Sequence, residues 1–215
     1  MPKLKPEVQH ARSERILDAA EQCFGRAGFH RTTMHDICKE AGVSPGALYV
    51  YFDSKEALIA GISERDRAEF AERLHALATA PDFLEALRGL GEQYFLEEPA
   101  ASHRMCIEIG LESTRNPRIG EIFRRVDGYI VDSFATLFQK MKDEARIAPT
   151  LDIPTVTKAF IVVCDGMFWR RAVDPAFVPG AVMPAVLQLI RVLLNPVPSG
   201  TAPPRAADNT DKATS

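Results

Sequence analysis

The sequence predicts an all-α protein. Apolar residues recur at intervals of three and four from about residue 13 to about residue 194. No stretch shows the strict alternation of a half-buried strand. Gly, Pro and Asn/Asp-Pro breaks separate the periodic segments and mark where helices stop and start. The pattern gives about nine helices, a small three-helix N-terminal unit followed by a larger helical one, without an internal repeat.

Residues 1–10 are polar and contain Pro2 and Pro6, which predicts a mobile arm. Lys3, Lys5 and Arg12 suit either a phosphate or minor-groove contact or a merely frayed terminus. The first clear helix spans about 13–27, with Ile16, Leu17, Ala20, Phe24 and Ala27 on one stripe. Gly28-Phe29 ends it, and residues 30–33 lead on, with Arg31 placed to reach a phosphate. Residues 32–55 read TTMHDICKEAGVSPGALYVYFDSK. Thr33 stands where an N-cap belongs, and Asp36 three residues later completes a capping box. Gly42 supplies the left-handed conformation of a tight turn. Ser44 caps a second short helix, with Pro45 at its first position, where a missing N–H costs nothing. Ser54 caps a third helix.

Two short helices joined by a three-residue turn containing Gly make a helix-turn-helix, whose second helix is built to lie in the DNA major groove. An ordinary helical hairpin in a core is the alternative. The composition of the second helix favours DNA: Leu48 and Phe52, four apart, face inward, leaving Pro45, Gly46, Ala47, Tyr49, Val50 and Tyr51 for the open side. The run GVSPGALYVYFDSKEAL resembles the signature of the tetracycline-repressor (TetR) family of transcriptional regulators, in which G-V-S-x-G-x-L-Y-x-Y-F-x-S-K-E-x-L spans the recognition helix and the next cap. ILDAAEQCFGRAGFHRTTMHDI is similar to that family's first helix, turn and second helix. The resemblance implies double-stranded operator DNA as partner, a homodimer, an inducer pocket in the second unit, and a phosphate at Lys55. The DNA-contacting set expected is Arg31, Thr33, Ser44, Pro45, Gly46, Ala47, Tyr49, Val50, Tyr51 and Lys55. Pro45 and Ala47 carry no long polar side chain, so base readout leans on Tyr49, Val50 and Tyr51.

With 215 residues, 46% hydrophobic and 26% charged, the chain has the composition of a soluble globular protein. No apolar run approaches the roughly 20 residues of a membrane span, and the N-terminus lacks a signal-peptide core, so a cytoplasmic location is expected. Cys23, Cys38, Cys106 and Cys164 form no CxxC pair and read as buried thiols. Net charge is −3, and residues 1–55 hold eight Lys/Arg against seven Asp/Glu. That balance excludes a protein coating nucleic acid indiscriminately and fits modest contacts by each monomer, combined in a dimer. No HExxH, GxSxG, P-loop or GxGxxG occurs and the five histidines are scattered, so no enzyme, metal or cofactor is expected.

A long helix follows Ser54 to about residue 79, polar through Glu64, Arg65, Asp66, Arg67, Glu69, Glu72 and Arg73, which suits a connecting helix. Further helices are expected at about 82–97, from a Ser102 cap onward, at 117–145, 155–173 and 181–194, with residues 196–215 a disordered tail. The resulting division is 1–55 for DNA binding, 56–195 for ligand binding and dimerisation, and the tail. The last two helices are apolar on more than one face, which a four-helix bundle with a second copy answers; internal burial is the alternative.

In the second unit Phe95, Cys106, Phe123, Phe134, Phe138, Phe160, Cys164 and Phe168 suit either a plain core or a cavity for a small, largely apolar inducer. His103, Glu108, Glu112 and Asp165 interrupt apolar faces. Asp165, inside AFIVVCDGMFW, needs a donor, an arginine such as Arg170 or Arg171, a ligand, or an ion pair at a dimer seam. The function expected is a dimeric, ligand-released repressor. A ligand-independent regulator, or one sensing redox through Cys106 or Cys164, is the alternative.

Overall fold

The computed structural model describes residues 5–197. Among them nine α-helices follow in order: α1 Pro6–Ala27, α2 Met34–Ala41, α3 Pro45–Tyr49, α4 Lys55–Thr79, α5 Phe83–Glu92, α6 Ala100–Glu112, α7 Pro117–Asp143, α8 Ile153–Val173 and α9 Pro179–Leu194. A π-helical turn, Gln93–Glu97, joins α5 to α6. The only strand-like pairing among the described residues is an isolated antiparallel bridge between Ile147 and Pro196.

Local chemistry sets most of the boundaries. The Thr33 N–H donates to Asp36 Oδ2 at 2.9 Å and the Asp36 N–H donates to Thr33 Oγ1 at 3.1 Å, closing the capping box of α2. Gly42 ends α2 at φ 63°, a conformation only glycine adopts without strain. Ser44 Oγ accepts from the Ala47 N–H at the start of α3, and Ser54 Oγ accepts from the Ala57 N–H at the start of α4.

Three segments depart from expectation. Residues 6–10, expected in a mobile arm, are the first turns of α1: Pro6 at N1 has no N–H to lose and Glu7 favours the helix N-terminus. Residues 1–4 and 198–215, the remainder of the expected arm and nearly all of the expected tail, lie outside the described residues. The helix expected over 82–97 stops being α-helical at Glu92, and the π turn shifts Tyr94 and Phe95 out of the preceding register. Ser102 does not cap α6, which begins after Pro99; its hydroxyl instead donates to Glu21 Oε1 on α1 at 3.0 Å.

Packing crosses the expected division at residue 55. The first core, built on Ile16, Phe24, Ile37 and Leu48, continues into Leu58, Ile59 and Ile62 of α4, Met105 of α6, and Ile119 and Ile122 of α7. A second core joins α4, α5, α7, α8 and α9, with Phe134, Phe138 and Phe160 mutually stacked at centroid separations of 4.6 to 5.7 Å. The two cores share α4 and α7, and α6 lies so close to α1 that a Cβ on Gly25 would stand 2.8 Å from the Ala101 carbonyl oxygen. Gly25→Ala must therefore push α6 off α1. Its expected effect is a loss of about 1–3 kcal/mol of stability, measured by denaturant unfolding, as for other overpacked contacts.

Candidate nucleic-acid interface and the cleft behind it

The short helix α3 is held by one residue and displays the rest. Leu48 is fully buried in the first core, while Tyr49 and Val50 are 53% and 79% exposed. Thr33, Ser44, Pro45 and Gly46 are exposed as well, and Ala47 is half-buried. Tyr51 packs partly against the core, so the open side carries one fully presented tyrosine where the sequence suggested two. Arg31 is exposed, with its Nε–H donating to the Ala27 carbonyl at 3.0 Å. Of the expected set, Arg31, Thr33, Ser44, Pro45, Gly46, Tyr49 and Val50 are thus exposed, and Ala47, Tyr51 and Lys55 half-buried.

Lys55 has a structural contact of its own. Its ammonium donates to the Phe29 carbonyl at 2.5 Å and sits 4.2 Å from the centroid of the Phe29 ring. Burial pushes the Lys55 pKa down, against the opposing pull of Glu56 and Glu112. The lysine therefore straps the start of α4 to the α1–α2 turn. Around it, His30 meets Glu112 at 2.7 Å, Asn116 Nδ2 donates to Glu56 at 3.1 Å, and the Glu108 carboxylate lies against Gly28. The first and last of these tie the helix-turn-helix unit to α6, and the second ties the start of α4 to the start of α7.

Behind the interface lies a cleft of about 700 Å³. Its walls come from α1 (Glu14, Asp18, Glu21), α4 (Asp66, Glu69, Phe70, Arg73), the π turn (Tyr94), α6 (Met105, Cys106), α7 (Val126, Tyr129, Ile130) and Phe168 of α8. Arg65 bridges α4 to α1, donating to Asp18 and Glu21 at 2.7 Å each. Arg73 donates to Glu98 at 3.0 Å and to Glu69 at 3.4 Å. Asp66 has no hydrogen bond among the described residues; its nearest cation is Arg65 Nε at 3.7 Å. Burial, reinforced by Glu21, pushes the Asp66 carboxyl up to about 6.

Of the residues expected to line a ligand cavity, Cys106 and Phe168 face this cleft. Phe134, Phe138 and Phe160 do not: at 6%, 0% and 2% exposure they fill the second core with one another. Phe95 packs with Met167 and Met183, and His103 is buried with its ring 5.0 Å from that of Phe168. Phe123 is exposed beside Gly110, and Glu108 faces the α1–α2 turn. Asp165 is not interior. It lies exposed on α8, without an ion pair among the described residues, its carboxyl raised by desolvation and by Asp127. Cys106 is exposed to the cleft and Cys164 half-buried, where the sequence suggested buried thiols; desolvation by the surrounding protein still pushes both up to about 12, the opposite of what a reactive thiolate requires.

Sequence reasoning missed the charged and aromatic lining, reading α4 as a solvated connector. The available signal was Phe70 within the charged run, sharing a helix face with Asp66 and Arg73 at spacings of four and three. Among the described residues no group of side chains could hold a metal ion, and no helix is long and apolar enough to cross a membrane.

A capped three-helix unit that displays a short second helix defines a helix-turn-helix DNA-binding regulator. Comparison with known proteins agrees. Residues 16–62 match the family model for bacterial regulatory proteins of the tetR family. The chain is 30% identical to the HTH-type transcriptional repressor Rv1474c of Mycobacterium tuberculosis over 176 residues, covering 80% of this chain and 88% of that protein. It is 29% identical to the HTH-type transcriptional regulator UidR of Escherichia coli K12 over 171 residues, 78% and 84% of the two chains. Salmonella enterica GusR superposes with a TM-score of 0.73 at 26% identity, covering 90% of this chain and all of that one. Bacillus subtilis FadR, solved in complex with stearoyl-CoA, superposes at 0.69 and 21% identity over 82% and 96%. The chain belongs to the TetR family of transcriptional regulators and is a DNA-binding regulator, not an enzyme.

The Asp66 shift has a consequence for stability. A carboxyl whose folded pKa lies above its unfolded value of about 3.9 holds its proton more tightly when folded, so ionisation works against folding as pH rises from about 4 to 6. Asp66→Asn is expected to raise the thermal midpoint at about pH 7.5, and the gain should vanish near pH 4. Scanning calorimetry of both proteins across that range measures it.

Proposed function

We propose that the chain is a homodimeric repressor that binds operator DNA through residues 1–55 and is released by a small molecule held in the cleft. Residues 56–195 then form the ligand-binding and dimerisation part. The observation that carries this reading is α4. This one helix of 25 residues starts at Lys55, strapped to the reading unit, and runs into the cleft with Asp66, Phe70 and Arg73 on its wall. A ligand there touches α1, α4 and α6 together, and so bears on the orientation of α3 without contacting it. The stearoyl-CoA complex of the FadR neighbour is consistent with a small-molecule ligand for a chain of this fold, and the name of the Mycobacterium tuberculosis relative is consistent with repression.

Dimerisation is supported by the exposed apolar residues of the last two helices. Val162, Trp169 and Val173 lie seven and four residues apart on α8, and Leu189 and Val192 are exposed on α9. Asp165 and Gly166 fall on the same stripe, and space around Gly166 is open, which suits close approach of a second copy. In this arrangement Tyr49 and Val50 meet base edges and thymine methyls while Thr33, Ser44 and Lys55 meet phosphates.

Selection of DNA fragments from a random pool, followed by gel shift and ultracentrifugation, tests the reading. The expected outcome is a palindromic site bound by a dimer. Tyr49→Ala should weaken it by about 1–3 kcal/mol at unchanged helicity, and Leu189→Glu with Val192→Glu should yield monomers with sharply reduced DNA affinity. Failure to enrich any sequence would overturn the proposal.

A further inference from the structure

We propose that the cleft takes an amphipathic organic cation, an amine or quaternary ammonium group on an alkyl or aryl body, with Asp66 as its counter-charge. The inference rests on the reading of the cleft as the ligand site and names the class of ligand.

Charge balance in the lining comes first. Glu14, Asp18, Glu21, Asp66, Glu69 and Glu98 face the cleft against the guanidiniums of Arg65, Arg67 and Arg73. Every guanidinium is already engaged: Arg65 by Asp18 and Glu21, Arg73 by Glu98 and Glu69, and Arg67 by Glu64 from outside the lining. An entering anion would find no free guanidinium and would face surplus carboxylates. Asp66, half-exposed to the cleft and beyond hydrogen-bonding distance of Arg65 Nε at 3.7 Å, is a carboxylate whose charge is poorly answered. A bound cation would answer it, and by covering the half-exposed Asp66 side chain would take the pair out of water, which strengthens their attraction.

The aromatic walls point the same way. The Arg73 guanidinium lies 4.6 Å from the centroid of Tyr94 and that of Arg67 lies 5.2 Å from the centroid of Tyr129. Two rings of the lining thus already present a face to a cation, the geometry in which a ring quadrupole attracts positive charge. Phe70 stands edge-on to Tyr129 at 6.0 Å, and Phe168 packs on Tyr94 at 6.3 Å. The apolar body of a ligand has Met105, Val126 and Ile130 to lie against. A volume of about 700 Å³ is that of a site for a drug-sized molecule. A ligand with a polyphosphate head would have to leave that head outside this lining.

Titration calorimetry of the full chain with three probes of equal chain length tests the assignment: decyltrimethylammonium, decan-1-ol and decanoate, each below its micelle concentration at about pH 7.5. The cation is expected to bind, with the alcohol and the carboxylate at least about tenfold weaker, a difference of about 1.4 kcal/mol. Asp66→Asn should weaken the cation by about tenfold and leave the alcohol unchanged, Asp66→Glu should retain cation binding, and Tyr129→Leu should weaken the cation more than the alcohol. No binding of the cation, equal or tighter binding of decanoate, or unchanged cation affinity in Asp66→Asn would each overturn the assignment. Gel shift on the selected operator separates it from the parent reading. Release of DNA by decanoate or decanol but not by the cation would overturn the assignment and leave a ligand-released repressor standing. Asp66-dependent binding of the cation without release would support the assignment and count against release.

Discussion

Glu21 is where three helices are held together. Its carboxylate accepts from Arg65 of α4 at 2.7 Å and from the Ser102 hydroxyl of α6 at 3.0 Å, while its own helix α1 carries the helix-turn-helix. Four residues further along α1, Gly25 lets α6 come down to backbone contact, and Arg104 reaches the Gly25 carbonyl at 3.5 Å. The Arg65 side chain is only 18% exposed. Partial burial works against its charge, and Glu21, Asp66 and Asp18 outweigh it, so its pKa is raised. Removing Glu21 leaves the largely buried Arg65 guanidinium with a partner fewer, which costs more than breaking a fully exposed pair. By contrast, the pairs of Arg88 with Glu85 and Glu92 are solvated ornaments of α5, of a kind worth about 0–1 kcal/mol.

The same cluster explains why the cleft is chemically uneven. Arg65 has its Nη groups committed to α1, and only its Nε side faces Asp66. The packing of α4 on α1 therefore consumes the cation that would otherwise neutralise the cleft wall. Holding the helices together and leaving one carboxylate unanswered are one arrangement seen from two sides. The site's charge preference follows from the fold's own tie.

What could be read from the sequence was what short range determines. The Thr33–Asp36 capping box, the Gly42 turn, and the Ser44 and Ser54 caps each depend on residues within a few positions, and each was predicted, the capping box with its partner. Leu48 was assigned inward by spacing alone. The failures share a cause too. Ser102 has the composition of a cap but finds Glu21, which lies 81 positions away. Asp165 interrupts an apolar run but faces outward, because nearly all of α8 is apolar and periodicity cannot say which side meets the core. Phe134, Phe138 and Phe160 have the composition of a cavity wall, yet they stack on one another. Conversely, the cleft draws on six separate segments, so a charged stretch that looks solvated in isolation becomes a wall only when α1, α6 and α7 close around it.

The position of Arg65 along α4 bears on how a ligand could act. Lys55 lies ten residues to one side and Arg73 eight to the other, arms of about 15 Å and 12 Å at 1.5 Å per residue. A rigid helix pivoting at Arg65 would transmit a displacement at Arg73 to Lys55 in the opposite sense, enlarged only by about a quarter. Lys55 is bound to the Phe29 carbonyl, so the reading unit moves with it. In the proposed dimer two such shifts add across the twofold axis, against half-sites whose separation the DNA fixes at roughly 34 Å. A displacement of an ångström or two at each cleft is then enough to spoil simultaneous contact. It can occur only if the ligand binds the displaced arrangement more tightly than the resting one. The poorly answered carboxylate supplies that preference: a cation paired with Asp66 gains most where the cleft closes on it, and Asp66 stands one residue from the Arg65 tie on α4.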